Sequence, residues 1–303
     1  MRTTKIALLT VVACGFALGS GLGASPRESL VVSTAWLAAH LHDTDLVLLH
    51  VGDRAEYDQA HIPGARFVSL RDLSTSTTDD RGLHLEMLPA PELRDRLAAL
   101  GIADRSRIVV YYGKDWLSPT TRVLFTLEYA GLGDRASLLD GGQQAWVRDG
   151  HAVTADVPPP GTGTLAPLTL QPLIVDAEWV RAHLRSPGVA IVDARDPEFY
   201  DGSRAGGRAD QPHRAGHIAG AHSVPFSSAT HDDMSLRSQD ELAAIFAKAG
   251  VKPGDTVVAY CHIGQQATAA VFMARLLGHP VRLYDGSFED WSRHTDYPVE
   301  TGR

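Results

Sequence analysis

The chain has 303 residues, of which 44% are hydrophobic, and a formal net charge of -8. This length fits two domains of ordinary size, each able to bury a core of its own. The acidic balance and the lack of a basic stripe in the sequence argue against a protein that binds nucleic acid.

The N-terminus has the pattern of an export signal. Two basic residues precede an apolar run from Ile6 to about Leu18, and small residues follow. The pattern predicts cleavage near Gly23 or Ala24, with residues 1–23 as the signal peptide.

Two alternatives to cleavage remain open. The stretch from Ile6 to Leu22 is nearly long enough for an uncleaved membrane anchor, and "VVAC" resembles a lipoprotein cleavage box that would make Cys14 the lipidated first residue. We expect an exported, periplasmic or secreted protein, tethered to a membrane only if the signal is uncleaved or Cys14 is lipidated. Because Cys14 is removed or capped, Cys261 is the only expected reactive thiol.

The rest of the chain contains the same unit twice. "LGIADRSRIVVYYGK", from Leu100, parallels "AGVKPGDTVVAYCHI", from Ala249, and "ASLLDGGQQAW" (136–146) parallels "VRLYDGSFEDW" (281–291). Repetition at this length indicates two copies of one fold.

Each unit alternates short apolar strands, such as "LVLLHV" and "VAIVDA", with helical patterns, such as "PELRDRLAAL" and "ATAAVFMARLLG". This alternation predicts an α/β fold with a mainly parallel sheet flanked by helices. We place domain 1 at residues 28–150 and domain 2 at residues 174–303. A Pro, Gly and Thr-rich linker, 151–173, joins them.

Cys261 follows a predicted buried strand, and helical sequence begins near Ala267. Ligands of open parallel sheets bind beyond the carboxyl ends of the strands. The loop between is short, and Gly264 can adopt positive φ, so the loop's N–H groups and the following helix N-terminus can stabilise a thiolate. The pattern predicts an exposed Cys261 of low pKa at the bottom of a cradle.

A buried, unreactive thiol and an intermolecular disulfide are the alternatives for Cys261. A metal site is not indicated, because only His262 is adjacent and no second cysteine or spaced histidine pair accompanies it. No cofactor is expected.

These residues resemble the tandem-domain rhodaneses, sulfurtransferases that act on thiosulfate or 3-mercaptopyruvate. The likeness is carried, in the family's order, by "YDQAHIPGARFV" (57–68), "LHLEMLP" (83–89), "CHIGQQA" and "VRLYDGSFEDW". It implies two rhodanese-like domains, with Cys261 as the nucleophile that forms a persulfide. The implied active-site loop comprises His262, Ile263, Gly264, Gln265 and Gln266.

The first unit departs from the family's catalytic pattern. Tyr112 stands where the cysteine is expected, and Val51 and Asp53 replace the charge pair that Asp193 and Arg195 supply in the second unit. We predict a non-catalytic domain 1 that forms one wall of the cleft. The Asp193 and Arg195 pair is expected to be mainly a structural contact that supports the site.

The loop matches neither specificity class of the family, since His262 is not a constant cation and "GSG" is absent. An insertion, 201–214, carries Arg204, Arg208 and Arg214, which are candidates for binding a sulfonate or carboxylate. A solvated loop is the alternative for each.

The resemblance implies transfer of sulfane sulfur from a small anionic donor to cyanide or a thiol, with thiosulfate preferred to 3-mercaptopyruvate. A non-enzymatic sulfur carrier or redox-sensing module that uses the same cysteine is the alternative. Phosphate-ester hydrolysis is disfavoured, because rhodanese-like phosphatases have a loop one residue longer that carries an arginine, and Ala267 lies where the longer loop would continue. His61 and His217 are predicted turn residues, and Trp146 and Trp291 predicted core residues.

Overall fold

The computed structural model describes residues 26–76, 82–114 and 117–302. The predicted signal peptide and the lipidation candidate Cys14 lie outside these ranges. Among the described helices, none is long and apolar enough to cross a membrane.

The first domain has short helices and strands in alternation. In chain order its described elements are α1 (Pro26–Leu30), β1 (Val31–Val32), α2 (Thr34–His40), β2 (Leu46–Val51), α3 (Arg54–Gln59), β3 (Arg66–Val68), β4 (Ser74–Ser76), β5 (His84–Met87), α4 (Ala90–Ala99), β6 (Arg107–Tyr112), α5 (Leu117–Tyr129), β7 (Ala136–Leu139) and α6 (Gly142–Arg148), with 3-10 turns at Leu70–Asp72 and Gly133–Arg135.

Within these residues, a parallel sheet has the strand order β1-β7-β6-β2-β3. Successive side chains of a strand point to opposite faces of its sheet. In this sheet the side chains on both faces are buried. Val110 and Tyr112 of β6 pack in one hydrophobic cluster, and Val109 and Tyr111 pack in the other. A strand buried on both faces is therefore apolar throughout, as "RIVVYY" nearly is.

The second domain follows the same plan. Its elements are β8 (Ile174–Val175), α7 (Ala177–Ala182), β9 (Val189–Asp193), α8 (Pro197–Tyr200), β10 (Gly207–Arg208), β11 (Gln211–Pro212), β12 (His217–Ile218), β13 (His222–Ser223), a 3-10 turn (Phe226–Ala229), α9 (Gln239–Ala249), β14 (Thr256–Tyr260), α10 (Ala267–Leu276), β15 (Val281–Tyr284), α11 (Ser287–Arg293) and β16 (Val299–Glu300).

The larger sheet of this domain is also parallel, with the order β8-β15-β14-β9-β13, which matches the first sheet strand for strand. The predicted α/β fold with two parallel sheets flanked by helices is confirmed. The two tryptophans predicted as core residues are buried, Trp146 in the first domain and Trp291 in the second.

Equivalent histidines stabilise equivalent turns in the two domains. His61 stacks on Tyr57 with ring centroids 3.9 Å apart, and His217 stacks on Tyr200 at 3.8 Å. In each pair a ring nitrogen lies 2.7 Å from the tyrosine's carbonyl oxygen. The insertion 201–214 therefore lengthens the second turn without breaking this contact, and it forms the antiparallel hairpin of β10 and β11.

The two domains pack closely through α5 and α10. The hydroxyl groups of Thr121 and Thr268 lie 2.9 Å apart at this buried contact. Leu127 of α5 and Val271 of α10 belong to one hydrophobic cluster that extends across both domains. Because α10 begins directly after the cysteine loop, this packing places the first domain against that loop.

The predicted linker runs along the surface of the first domain. Thr154 forms an isolated antiparallel bridge with His61, and the N–H of Gly163 donates to the carbonyl oxygen of Ala98 at 2.9 Å. A chain tied at these points is an ordered connection between the domains.

Candidate active site

Cys261 follows the last residue of β14, and the loop 261–266 leads into α10 at Ala267. The predicted position beyond the carboxyl end of a parallel strand is found. The predicted exposure of the thiol is wrong, because Cys261 is completely buried. A local pattern places a residue at a strand end but does not show how closely the rest of the fold covers it.

Opposing effects act on the Cys261 thiol. Burial raises its pKa, while the backbone N–H groups of Ala267, Ile263, Gln266 and Gly264 lower it, and the balance lies above the ordinary value. The cradle of N–H groups is therefore present, but the predicted low pKa is not, because desolvation outweighs these dipoles. Ala267, the first residue of the helix, also belongs to the cradle, which extends it one residue beyond the predicted loop.

The segment after β15 forms hydrogen bonds with the backbone of Cys261 and His262. The hydroxyl oxygen of Ser287 accepts a hydrogen bond from the N–H of Cys261 at 3.1 Å. The N–H groups of Phe288 and Glu289 donate to the carbonyl oxygens of Cys261 and His262, both at 3.0 Å. The family-like signature "VRLYDGSFEDW" thus supports the loop through hydrogen bonds, a role that its sequence alone did not indicate.

Gly264 turns the loop around the sulfur. Its φ is +81°, and a Cβ atom at this position would lie 2.7 Å from the carbonyl oxygen of Asp285. Both the backbone conformation and the lack of space therefore require glycine.

Arg122, on α5 of the first domain, also reaches this loop. Its Nη1 lies 2.5 Å from Oδ1 of Asp285 and 3.4 Å from the carbonyl oxygen of Gly264, and its Nη2 donates to the carbonyl oxygen of Leu85. The side chains of Arg122 and Asp285 are only 1% and 3% exposed. Sequence reasoning missed this residue, since it lies in a helix of the unit without a cysteine.

Asp193 and Arg195 form a buried ion pair, with Nη2 to Oδ2 at 2.6 Å. The Tyr260 hydroxyl donates to the same carboxylate at 2.6 Å, and the Arg195 guanidinium lies 4.1 Å from the ring centroid of Phe288. These contacts fix the end of β14 and the turn that carries Ser287. The pair therefore supports the site from within the domain.

His262, next to the cysteine, is neutral near pH 7. Burial lowers its pKa to about 4, and the charge of Arg195 acts in the same direction. The Phe199 ring packs nearly perpendicular to the imidazole, with centroids 4.5 Å apart. The cysteine is thus followed by an uncharged ring, as the sequence suggested.

A cavity of about 600 Å³ opens beside the loop. Its walls come from the first domain, the hairpin of the insertion, the cysteine loop and α11. The lining residues are His84, Gly207, Arg208, Gln211, Pro212, His213, His262, Ile263, Glu289, Ser292 and Arg293. The cavity thus reaches the two residues that follow Cys261, and the first domain contributes to its wall.

The three candidate arginines of the insertion lie in different places. Arg208 lines the cavity and pairs with Asp210 at 3.0 Å. Arg204 lies over the ring of Phe199, 4.7 Å from its centroid. Arg214 donates to the backbone carbonyl oxygens of Tyr297 and Trp291, at 2.8 and 3.0 Å. It makes a structural contact and is not part of the cavity wall.

The corresponding position in the first domain is closed. Tyr112 is completely buried, and its hydroxyl donates to the carbonyl oxygen of Met234 at 2.6 Å. Among the described residues Cys261 is the free thiol, and no group of three or more metal-ligating side chains occurs in the same ranges. The free thiol of the described residues therefore lies in the second domain.

Comparison with known families gives two matches. A family model described as a rhodanese-like domain matches residues 33–149 and again residues 176–294. The two segments correspond to the two α/β domains of the structure.

Two named relatives match over nearly their whole length. The chain is 31% identical over 290 residues to the sulfur carrier protein TtuD of Thermus thermophilus, covering 91% of this chain and 98% of the relative. It is 31% identical over 277 residues to the thiosulfate sulfurtransferase of Pseudomonas aeruginosa, covering 89% of this chain and 97% of that protein.

Solved structures with the same fold include the anaerobic ergothioneine biosynthesis enzyme of Chlorobium limicola, in complex with trimethyl histidine. Its TM-score is 0.80 at 26% identity, with 91% of this chain and 71% of that chain covered. The crystal structure of YnjE gives a TM-score of 0.80 at 26% identity, with coverages of 91% and 69%.

Proposed function

Because the chain belongs to the rhodanese family, with one rhodanese-like domain in each half, we propose that it is a sulfurtransferase that moves sulfane sulfur from thiosulfate to cyanide or a thiol through a Cys261 persulfide. 3-Mercaptopyruvate is the second donor to test. The observation that carries the proposal is the ring of backbone N–H groups around the Cys261 sulfur. Relatives named thiosulfate sulfurtransferase support the same reaction class.

The proposed reaction has two steps. The Cys261 thiolate attacks the outer sulfur of thiosulfate, the S–S bond of thiosulfate breaks, and sulfite leaves with the bonding electron pair. Cyanide then attacks the outer sulfur of the persulfide, thiocyanate leaves, and the Cys261 thiolate returns. Such a covalent intermediate gives ping-pong kinetics.

The N–H groups of the cradle stabilise the Cys261 thiolate, which attacks in the first step and is released again in the second. These N–H groups face the Cys261 sulfur, which carries the negative charge as thiolate. The neutral His262 supplies no charge. Electrostatic attraction of an anion therefore depends on the N–H dipoles and on nearby arginines, Arg195 near the cysteine and Arg208 in the cavity wall.

A sulfur carrier is the second candidate, favoured by the similarity to a relative of that name over 98% of its length. A carrier accepts and releases one sulfur atom per encounter with a partner protein. An enzyme turns over repeatedly with small molecules, so steady-state turnover distinguishes the two.

The test is intact-protein mass spectrometry after incubation with thiosulfate and, separately, with 3-mercaptopyruvate. We expect one added sulfur atom that cyanide removes and that Cys261→Ser does not acquire. Failure of both donors to give this adduct contradicts the proposal. Rapid thiocyanate production then supports the enzyme over the carrier.

We also propose export, on the pattern of residues 1–23. N-terminal sequencing of the protein from isolated periplasm should give a start near Gly23 or Ala24. A lipid-modified Cys14 or an intact N-terminus in the membrane fraction would replace this proposal with one of its alternatives.

A further inference from the structure

The non-catalytic domain places one buried cation beside the cysteine loop. Arg122 is anchored on both sides, by the Asp285 carboxylate of the second domain and by the Leu85 carbonyl oxygen of its own domain. Asp285 is itself held, since its Oδ2 accepts a hydrogen bond from the N–H of Met87 at 3.2 Å. The guanidinium therefore has a fixed position.

The carbonyl group that Arg122 reaches belongs to Gly264, the one glycine of the loop 261–266. Glycine populates conformations on both sides of φ = 0, so a peptide group next to it can rotate more easily than others. Rotation of the peptide after Gly264 would turn its carbonyl oxygen away from Arg122. A carbonyl oxygen turned toward the sulfur would repel a thiolate, whereas the N–H groups of the cradle attract it.

The geometry points to Arg122 as a positioning residue that holds the Gly264 carbonyl oxygen outward and so keeps the cradle N–H groups directed at the Cys261 sulfur. It acts through the loop and does not touch the reacting atoms. The first domain then contributes to the geometry of the reaction as well as to the cavity wall. This inference rests on the proposed function for its catalytic meaning.

Other charges near these groups must be kept constant in any test. Glu86 faces Arg122 and Asp285, and its pKa is raised to about 8 by burial and by the Asp285 charge. Arg195 also lies near Cys261. Substitutions are therefore confined to Arg122 itself.

The test measures the rate at which iodoacetamide alkylates Cys261 as a function of pH, with the peptide that contains Cys261 followed by mass spectrometry. In Arg122→Met we expect the midpoint of this profile to rise by at least one unit, which is about a tenfold loss of rate at neutral pH. In steady-state assays kcat should fall by a similar factor, with the KM for thiosulfate changed less than about threefold.

Arg122→Lys is the second variant. Lysine retains the charge opposite Asp285, but one ammonium group cannot reproduce the spread of contacts that the planar guanidinium makes. We expect it to fold and to show a smaller shift in the same direction. A wild-type midpoint in either folded variant overturns the inference.

Arg275→Met is the matched control. Arg275 of α10 pairs with Glu128 of α5, so this change also removes an arginine–carboxylate pair between the domains, but away from the loop. It should lower the melting temperature and leave the alkylation profile unchanged; an equal shift of that profile would overturn the inference. Alkylation requires no sulfur transfer, so a chain that forms no persulfide would contradict the proposed function without deciding the role of Arg122.

Discussion

The hydroxyl group of Ser287 links the cysteine to the strand beside it: its oxygen accepts a hydrogen bond from the N–H of Cys261 at 3.1 Å, and its O–H donates to the carbonyl oxygen of Tyr284 at 2.9 Å. Ser287 is completely buried and has a φ of +52°. A side chain in this conformation is unfavourable unless its contacts compensate. The contact with Cys261 is such a compensation.

Replacing Ser287 by alanine should destabilise the protein by about 1–3 kcal/mol, because the buried N–H of Cys261 loses its acceptor while the positive φ remains. Urea denaturation measures the change. Ser287→Gly relieves the backbone strain and should recover part of the loss. Equal stability of the alanine variant and the wild type would show that this hydrogen bond contributes nothing.

Gly264→Ala should abolish persulfide formation while the chain still folds. The added methyl group meets the Asp285 carbonyl oxygen and the Arg122 guanidinium, so the loop must change shape. Gly254→Ala is the control, since Gly254 also has positive φ but an added Cβ would meet no atom within 4 Å. We expect about 1 kcal/mol of destabilisation and unchanged sulfur transfer in the control. Normal persulfide formation in Gly264→Ala would contradict the role of this turn.

His50 makes folding stability depend on pH. It is completely buried, both ring nitrogens lack a hydrogen-bond partner in the described structure, and burial lowers its pKa to about 4. The unfolded chain binds this proton near the ordinary value of 6.5, so stability is full above pH 6.5 and falls as the pH drops toward 4.

Replacing His50 by leucine should remove this dependence. Between pH 7 and pH 5 the wild type should lose about 2 kcal/mol more of its free energy of unfolding than the variant does. Chemical denaturation at both pH values measures the free energy of unfolding of each protein. The other buried histidines contribute equally to the wild type and to the variant. Parallel losses in the two proteins would show that His50 does not contribute.

Substitutions of the insertion arginines Arg208 and Arg214 should affect different properties, substrate binding and stability. Arg208 lines the cavity, so Arg208→Gln should raise the KM for thiosulfate about three- to tenfold with little change in kcat. Arg214 binds two backbone carbonyl oxygens, so Arg214→Met should lower stability by about 1–3 kcal/mol and leave KM unchanged. Kinetics and thermal unfolding measure both, and the reverse pattern would contradict these placements.

Several features were accessible from the sequence because they depend on local pattern. The paired motifs located two copies of one α/β unit, and the apolar runs located strands such as β2 (Leu46–Val51) to the residue. Cys261 beyond β14 follows from the same patterns.

Tertiary contacts alone decided how the site is built. Whether Cys261 is exposed depends on tertiary packing, and the packing of α5 against α10 brings Arg122 within 2.5 Å of Asp285 although 163 positions separate them in the chain. Periodicity in a sequence records which face of an element is buried, but not which distant side chain meets it. The sequence therefore determined the two domains and the position of the thiol, while its burial, its raised pKa and the nearby cation from the first domain followed only from the tertiary packing.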